Sequence, residues 1–324
     1  MDTKKIIVIG ASMGGFEAIK SLITLLPSNF EAPIFIVWHM SPEVKGILPA
    51  VLNKLNSIIA SNAIDGEDIK LNHIYVAPPD HHLLLERGSI KLSKSAKENM
   101  FRPSVDPLFR SAAENYGDHV IGIILSGALD DGTSGLGRIK AKGGITIVQD
   151  PQEAINPSMP LNALNAVDID YCLKVADIPD VLHRLLRHRQ HVEKEIDKDM
   201  VQEKIELSTY SCPECHGVLS AIMEDNIIRY QCHTGHAYSE NTLLLSLSRK
   251  TEESLYNVMR GMHETVFLLN HMGDHYAEGN NPGTAAAYFN EARKIAEQLE
   301  TVGTLIHNHQ TISPDKLNVE PDQR

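Results

Sequence analysis

Along roughly the first 185 residues, apolar positions come in short continuous runs separated by stretches of helical spacing. Residues 5–10 (Lys-Ile-Ile-Val-Ile-Gly) are β-branched and end in glycine, which predicts a buried strand. Residues 16–26 then carry apolar positions at helical spacing and stop before Pro27. Further strands are expected at 33–38, 73–77, 120–125 and 144–148, and helices at 46–55, 105–116, 135–142 and 159–166. Residues 83–92 alternate around Arg87-Gly88, which predicts a β-hairpin on the edge. Strands of continuous apolar residues alternating with helices belong to a sheet covered on both faces. The expected class is therefore α/β: a doubly wound, mostly parallel sheet with a small β-hairpin insertion over residues 1–186.

The pattern changes beyond that point. Residues 187–209 are rich in Arg, His, Lys, Glu and Asp and read as a charged linker. Residues 210–238 hold three of the four cysteines and read as a small knuckle module. Over 239–311, helical spacing (Leu255, Val258, Met259, Met262, Val266, Leu269) is broken at Gly279-Asn280-Asn281-Pro282-Gly283, which predicts an α-helical hairpin. Residues 312–324 read as a disordered tail.

Composition narrows the function classes. Of 324 residues, 42% are hydrophobic and 22% charged, the balance of a soluble globular chain. The longest apolar runs are strand-sized, far short of the roughly 20 residues that span a bilayer, and the N-terminus lacks a signal peptide's apolar core. A cytoplasmic protein with no direct membrane insertion is expected. The net charge of −12 is uneven: residues 1–190 carry 19 Lys+Arg against 21 Asp+Glu, and residues 191–324 carry 11 against 21. With no basic stripe and 5% aromatic residues, nucleic acid is excluded as a partner.

The chemistry gathers at strand ends. The first strand runs into Gly10-Ala11-Ser12-Met13-Gly14, a G-x-S-x-G turn before a helix. Such a turn can lift a serine hydroxyl to the sheet edge and aim backbone N–H groups at an oxyanion, but it also resembles a dinucleotide-binding turn. A dinucleotide site calls for an acid near the end of the second strand; Trp38-His39-Met40 stands there instead. The Tyr-x-x-x-Lys pair of short-chain dehydrogenases is also missing, since Tyr171 and Lys174 have the wrong spacing. The strand at 120–125 leads to Ser126-Gly127-Ala128-Leu129-Asp130-Asp131-Gly132. A serine, a histidine and an acid thus follow three parallel strands at one edge, as nucleophilic catalysis requires.

Several segments together, Gly10-Ala-Ser12-x-Gly14-Gly15, Trp38-His39-Met40-x-Pro42, Tyr75-Val-Ala-Pro78, Arg102-Pro-Ser-Val-Asp106, Leu125-Ser-Gly127-x-x-x-Asp131-Gly132 and Met159-Pro160, resemble the catalytic domain of chemotaxis protein-glutamate methylesterases over residues 4–185. The resemblance implies Ser12 as nucleophile, His39 as base and Asp131 as its orienting acid, with Asp130 the rival by proximity. It implies hydrolysis of glutamate γ-methyl esters on the cytoplasmic helices of methylated chemoreceptors, with methanol released, and glutamine deamidation by the same machinery. No cofactor is expected for catalysis. Met13 and Ala128-Leu129-Asp130 depart from the family pattern beside the oxyanion region. Chemotaxis members usually begin with a receiver domain; here the first strand starts at residue 5, so regulation without an attached receiver is expected. A serine hydrolase of another ester or amide in a different signalling pathway, and a non-catalytic signalling module, are the alternatives.

Cys212-x2-Cys215, sixteen residues, and Cys232-x3-His236 is the spacing of a tetrahedral zinc site, with His233 the alternative fourth ligand. Cys172 is expected to lie in a strand and to be dispensable for it. The acidic C-terminal part is expected to serve partner binding or self-association, leaving the active site largely uncovered. Any docking onto the catalytic part would come from the apolar stripe of the helical hairpin, and a chain ending near residue 188 is expected to keep its rate.

Overall fold

The computed structural model describes residues 5–39, 47–187, 204–224, 227–309, 311, 312 and 314. The chain divides into two compact units, Met1–Leu243 and Leu244–Arg324. In the first, the elements run β1 (Ile6–Ala11), α1 (Gly15–Leu25), β2 (Ile34–Trp38), α2 (Ile47–Leu55), β3 (Ile59–Asn62), β4 (His73–Val76), β5 (His82–Glu86), β6 (Ser89–Ser93) and α3 (Val105–Tyr116). They continue as β7 (Val120–Ile124), α4 (Thr133–Ala141), β8 (Ile145–Gln149), α5 (Ser158–Ala166), β9 (Tyr171–Leu173) and α6 (Ile178–Arg187).

Seven of these strands form one sheet in the order β3-β4-β2-β1-β7-β8-β9, and every pairing in it is parallel. The reason is visible in β1, all six residues of which are buried. Alternate side chains face opposite layers: Ile7 and Ile9 join a cluster with Leu22 of α1, Leu52 of α2 and Leu182 of α6. Ile6 and Val8 join another with Phe109 of α3, Leu136 of α4 and Met159 of α5. From β1 the chain winds outward first through β2 and later, on the other side, through β7. That reversal opens a crevice beyond the carboxyl ends of β1 and β7, the place where open α/β sheets hold their sites.

The hairpin, strand β3 and helix α6, for which the pattern gave no element, depart from the pattern-based reading. The β5–β6 hairpin turns at Arg87-Gly88 as expected, but it forms its own two-stranded sheet rather than an edge of the main one. Edge strand β3 was not anticipated. It is four residues long and ends in Ser61-Asn62, so its apolar pattern is too brief to register, and pairing with β4 makes it a strand.

The remaining part of the first unit is a four-stranded antiparallel sheet, β10 (Lys204–Ser211), β11 (Val218–Glu224), β12 (Ile227–Cys232) and β13 (Ala237–Ser239), paired in that order. β10 begins inside the stretch read as linker to residue 209. Its Ile205 and Leu207 are 62% and 84% exposed, so ladder hydrogen bonds to β11, not burial, make it a strand. Linker residues 188–203 lie outside the described residues.

In the second unit, α7 (Glu240–Glu278), which starts in the first, and α8 (Pro282–Asn308) form the expected helical hairpin. Asn281 caps α8 by accepting from the Thr284 N–H, and Pro282 follows at the first turn. The ring of Phe289 lies over Gly273, where a Cβ would sit 2.5 Å from it, and Tyr276 stacks on Tyr288. Of the expected disordered tail, Ile312 is bonded through its N–H to the Ser248 hydroxyl; residues 313 and 315–324 are outside the described set.

Candidate active site and metal centre

Ser12 follows β1, His39 follows β2, and Asp131 lies in the loop after β7. The turn at Ser12 is built by glycine where side chains do not fit. Gly14 has φ of 76°, and a Cβ there would meet Ile155 at 2.5 Å. A Cβ on Gly127 would collide with the Met159 sulfur and sit 2.9 Å from the Ser12 Cβ. The Ser12 N–H donates to the Ser126 carbonyl and the Trp38 indole donates to the Ser12 carbonyl, which ties the three strand ends together.

The three side chains meet. His39 Nδ1 lies 3.2 Å from Ser12 Oγ, and His39 Nε2 lies 2.8 Å from Asp131 Oδ2. A neutral imidazole protonated at Nε2 donates to Asp131 and leaves the Nδ1 lone pair facing the serine hydroxyl. The His39 and Asp131 side chains are only 3% and 2% exposed, and the Phe101 ring stacks on the imidazole at 3.9 Å. Ser12 is half-buried, and neighbouring Met13 is 61% exposed.

Asp131 is held by more than the histidine. The Val105 N–H donates to Oδ2, while the Asn99 amide, the Ser104 hydroxyl and the Asp106 N–H donate to Oδ1. Burial would push this carboxyl upward; His39, the Val105 N–H and the Asn99 amide outweigh it and hold Asp131 well below the usual carboxylate range. Its neighbour Asp106 behaves oppositely. Burial, and then the negative charge of Asp131, push it up to about 8, so a neutral acid sits beside an ionised one. The rival acid Asp130 takes hydrogen bonds from the Ser239 hydroxyl and the Asn241 amide, away from His39.

Asn99, Phe101 and Ser104 escaped the sequence reading, although Ser104 and Asp106 stand in the quoted Arg102-Pro-Ser-Val-Asp106 segment. Arg102 of the same segment is spent internally. Its guanidinium pairs with Asp80 and donates to the Lys94 and Ser95 carbonyls. Met40 and Pro42 of the quoted segments lie outside the described residues.

Cys212, Cys215, Cys232 and His236 place their donor atoms within 4.8 Å of one another. The Cys215–Cys232 sulfur separation is 3.7 Å, and His236 Nδ1 lies 3.7 and 3.5 Å from the Cys212 and Cys232 sulfurs. A tetrahedron with metal–sulfur bonds of about 2.3 Å has edges of about 3.8 Å, so the donor set fits zinc. The Thr234 hydroxyl, the Gly217 N–H and His236 pull the Cys215 thiol down to about 6, toward the thiolate a metal takes. His233 is exposed and stands outside this group, as does Cys172 in β9. The last strand and turn of the module, Ala237–Thr242, hydrogen-bond to Lys97, Asn99 and Asp130 in loops of the catalytic part. That corrects the expectation that docking would need the apolar stripe of the helical hairpin. Among the described residues no helix is long and apolar enough to cross a membrane.

Comparison with known proteins agrees with this architecture. Residues 7–182 match the family model of the CheB methylesterase. A protein of Leptospira interrogans, provisionally named protein-glutamate methylesterase/protein-glutamine glutaminase, is 42% identical over 180 residues, covering 55% of this chain and 93% of that protein. A protein-glutamate methylesterase/protein-glutamine glutaminase of Thermotoga maritima is 38% identical over 186 residues, 56% of this chain and 54% of that one, so the match spans about half of that relative. The crystal structure of the Thermotoga maritima CheB methylesterase catalytic domain superposes with a TM-score of 0.55 at 37% identity, covering 56% of this chain and 99% of that domain.

Proposed function

The chain belongs to the CheB methylesterase family, and on that premise we propose that it hydrolyses glutamate γ-methyl esters in proteins with Ser12 as nucleophile. The observation that carries this reading is the continuous chain Ser12 Oγ, His39, Asp131 at 3.2 and 2.8 Å across three strand ends.

Chemically, His39 Nδ1 takes the Ser12 proton as Oγ bonds to the ester carbonyl carbon. Asp131, kept ionised by its donors, stabilises the imidazolium without accepting its proton. The oxyanion forms at the N-terminal end of α1, where backbone N–H groups and the helix dipole favour negative charge. Collapse breaks the bond to the methoxy oxygen, which leaves as methanol with the proton from His39. Water then gives a proton to His39 and attacks the acyl carbon, restoring Ser12 and releasing free glutamate. A glutamine side chain follows the same course with ammonia as the leaving group.

The substrate proteins in this reading are methylated chemoreceptor cytoplasmic helices, and the site of action is the cytoplasm. Cys212, Cys215, Cys232 and His236 would hold a structural zinc, which would supply cohesion to the module and not enter the bonds made and broken in the reaction. The test is methanol release from methylated receptor, with ammonia release from its glutamine form, measured beside Ser12→Ala. Methanol appearing equally with the variant would refute the assignment.

A further inference from the structure

The four-stranded sheet ends on the catalytic machinery, and neither the ester chemistry nor the metal alone accounts for that. Glu98–Phe101 form a tight turn, closed by the Glu98 N–H to the Phe101 carbonyl at 3.2 Å and the reverse bond at 2.9 Å. Its two central residues, Asn99 and Met100, have φ of 49° and 70°. Two successive residues with side chains hold this left-handed geometry only where their surroundings impose it. The turn presents both of its neighbours to the site. Asn99 Nδ2 donates to Asp131 and Asp106, at 2.8 Å each, and Phe101 stacks on His39.

What grips the turn from outside is the segment just after the fourth metal ligand. The residue following His236 is Ala237, whose carbonyl accepts from the Asn99 N–H at 2.8 Å and whose N–H donates to the Lys97 carbonyl at 3.3 Å. The Ser239 N–H and the Thr242 hydroxyl both donate to Asn99 Oδ1, at 2.9 and 3.1 Å. A backbone N–H can only donate, so Ser239 requires the oxygen end of the Asn99 amide to face the module. The NH2 end must then face the carboxyl groups of Asp131 and Asp106. Asn99 is 3% exposed and Thr242 fully buried, so water does not replace these partners.

We propose that the Cys3His module is a metal-dependent brace on the catalytic acid. Metal held at His236 sets the path of Ala237–Thr242, that segment holds the Asn99 turn, and the Asn99 amide keeps Asp131 aligned with His39. Asn99 is thus a positioning residue. The role of Asp131 rests on the hydrolase reading; the coupling from metal to Asn99 does not. Asp131 keeps its bonds to Ser104, Val105 and His39 when the brace loosens, so the loss is partial.

The experiment takes the full chain with zinc, after chelation, and after zinc is returned. It reads amide hydrogen exchange at Asn99 and Ser239 together with kcat and KM on an ester substrate. Chelation should speed exchange at both amides at least about tenfold and lower kcat roughly 10- to 100-fold with KM unchanged, and zinc should reverse both effects. Thr242→Val should reproduce part of the kcat loss, and Thr242→Ser, which retains the hydroxyl, should recover it. In Asn99→Ala, chelation should add little further loss, because both changes act on one link. Exchange at Asn99 indifferent to zinc, or an undiminished chelation effect in Asn99→Ala, would overturn the brace. Zinc-dependent exchange in a chain that turns over no ester would support the coupling and refute the hydrolase reading instead.

Discussion

The seven-stranded sheet and the four-stranded sheet of the first unit are stabilised in different ways. The larger sheet buries both faces: β1, β2 and β7 are almost wholly enclosed by Ile, Val and Phe, with helices on either side. The smaller one has little to bury. Leu219, Ile222, Ala237 and Tyr238 are buried there, joined by Cys212 and Cys232, two of its four candidate metal ligands, while Ile205, Leu207 and Val218 stand exposed. A sheet with so thin an interior falls below the size at which hydrophobic burial alone suffices, and the proposed metal would supply the missing cohesion. The difference teaches a division of labour. The large core fixes the strand ends that carry Ser12, His39 and Asp131, and in the reading proposed above the small module acts on them through its bonds to Lys97, Asn99 and Asp130.

The sharpest way to break that division is at the reacting residues. Ser12→Ala and His39→Ala should each lower turnover about 10⁶-fold, and the double variant hardly more, since the two act as one unit. Steady-state methanol release checks this, and additive losses would mean they do not. Asp131→Asn should cost about 10⁴-fold by mis-setting the imidazole tautomer. Asp130→Asn, whose carboxylate faces Ser239 and Asn241, should cost far less. The reverse order would place the acid wrongly.

Stability separates the two sheets next. Chelation should abolish a thermal transition belonging to β10–β13 and leave that of the parallel sheet in place, as read by circular dichroism and calorimetry. Ile9→Ala, at a fully packed position, should lower the stability of the parallel sheet by about 2–5 kcal/mol. Leu207→Ala, 84% exposed, should change either transition by at most about 0.5 kcal/mol. A single transition that moves as a whole on chelation would show that the two sheets are not energetically distinct.

The smallest effect is a slope with pH. Asp106 is pushed up to about 8 in the fold, against an ordinary aspartate value of about 3.9 when unfolded. Between those values the folded chain binds more protons than the unfolded one, so this group's contribution to stability declines as pH rises. Asp131, held low, contributes stability above the ordinary carboxylate range that is lost as pH falls. Asp106→Asn should flatten the decline between about pH 4 and 8 in denaturant melts. An unchanged slope would place its source elsewhere.

How much of this was legible in the chain differs by residue. Ser12, His39 and the cysteines stand in local patterns, and local backbone rules alone put Ser12 after a strand and the thiols in spacing for one ion. Between Asp130 and Asp131 only the family resemblance chooses at the level of sequence, because adjacent residues share a loop and the packed turn decides which carboxylate faces the imidazole. Which imidazole nitrogen meets the serine was likewise beyond any pattern. Strand β3 and strand β10 were missed because each owes its form to a neighbouring strand rather than to its own apolar rhythm.

By itself, then, the sequence determined the alternation of buried strands and helices, the reversal-point serine and histidine, and the four-ligand spacing, since each depends on contacts within a few residues or on burial that composition alone demands. Only the tertiary structure decided that Asn99, 32 residues from Asp131 and 140 from Ser239, joins the acid to the Cys3His module. No periodicity reports such a link, because a hydrogen bond between distant segments depends on where the whole fold brings them and leaves no mark on the residues that lie between.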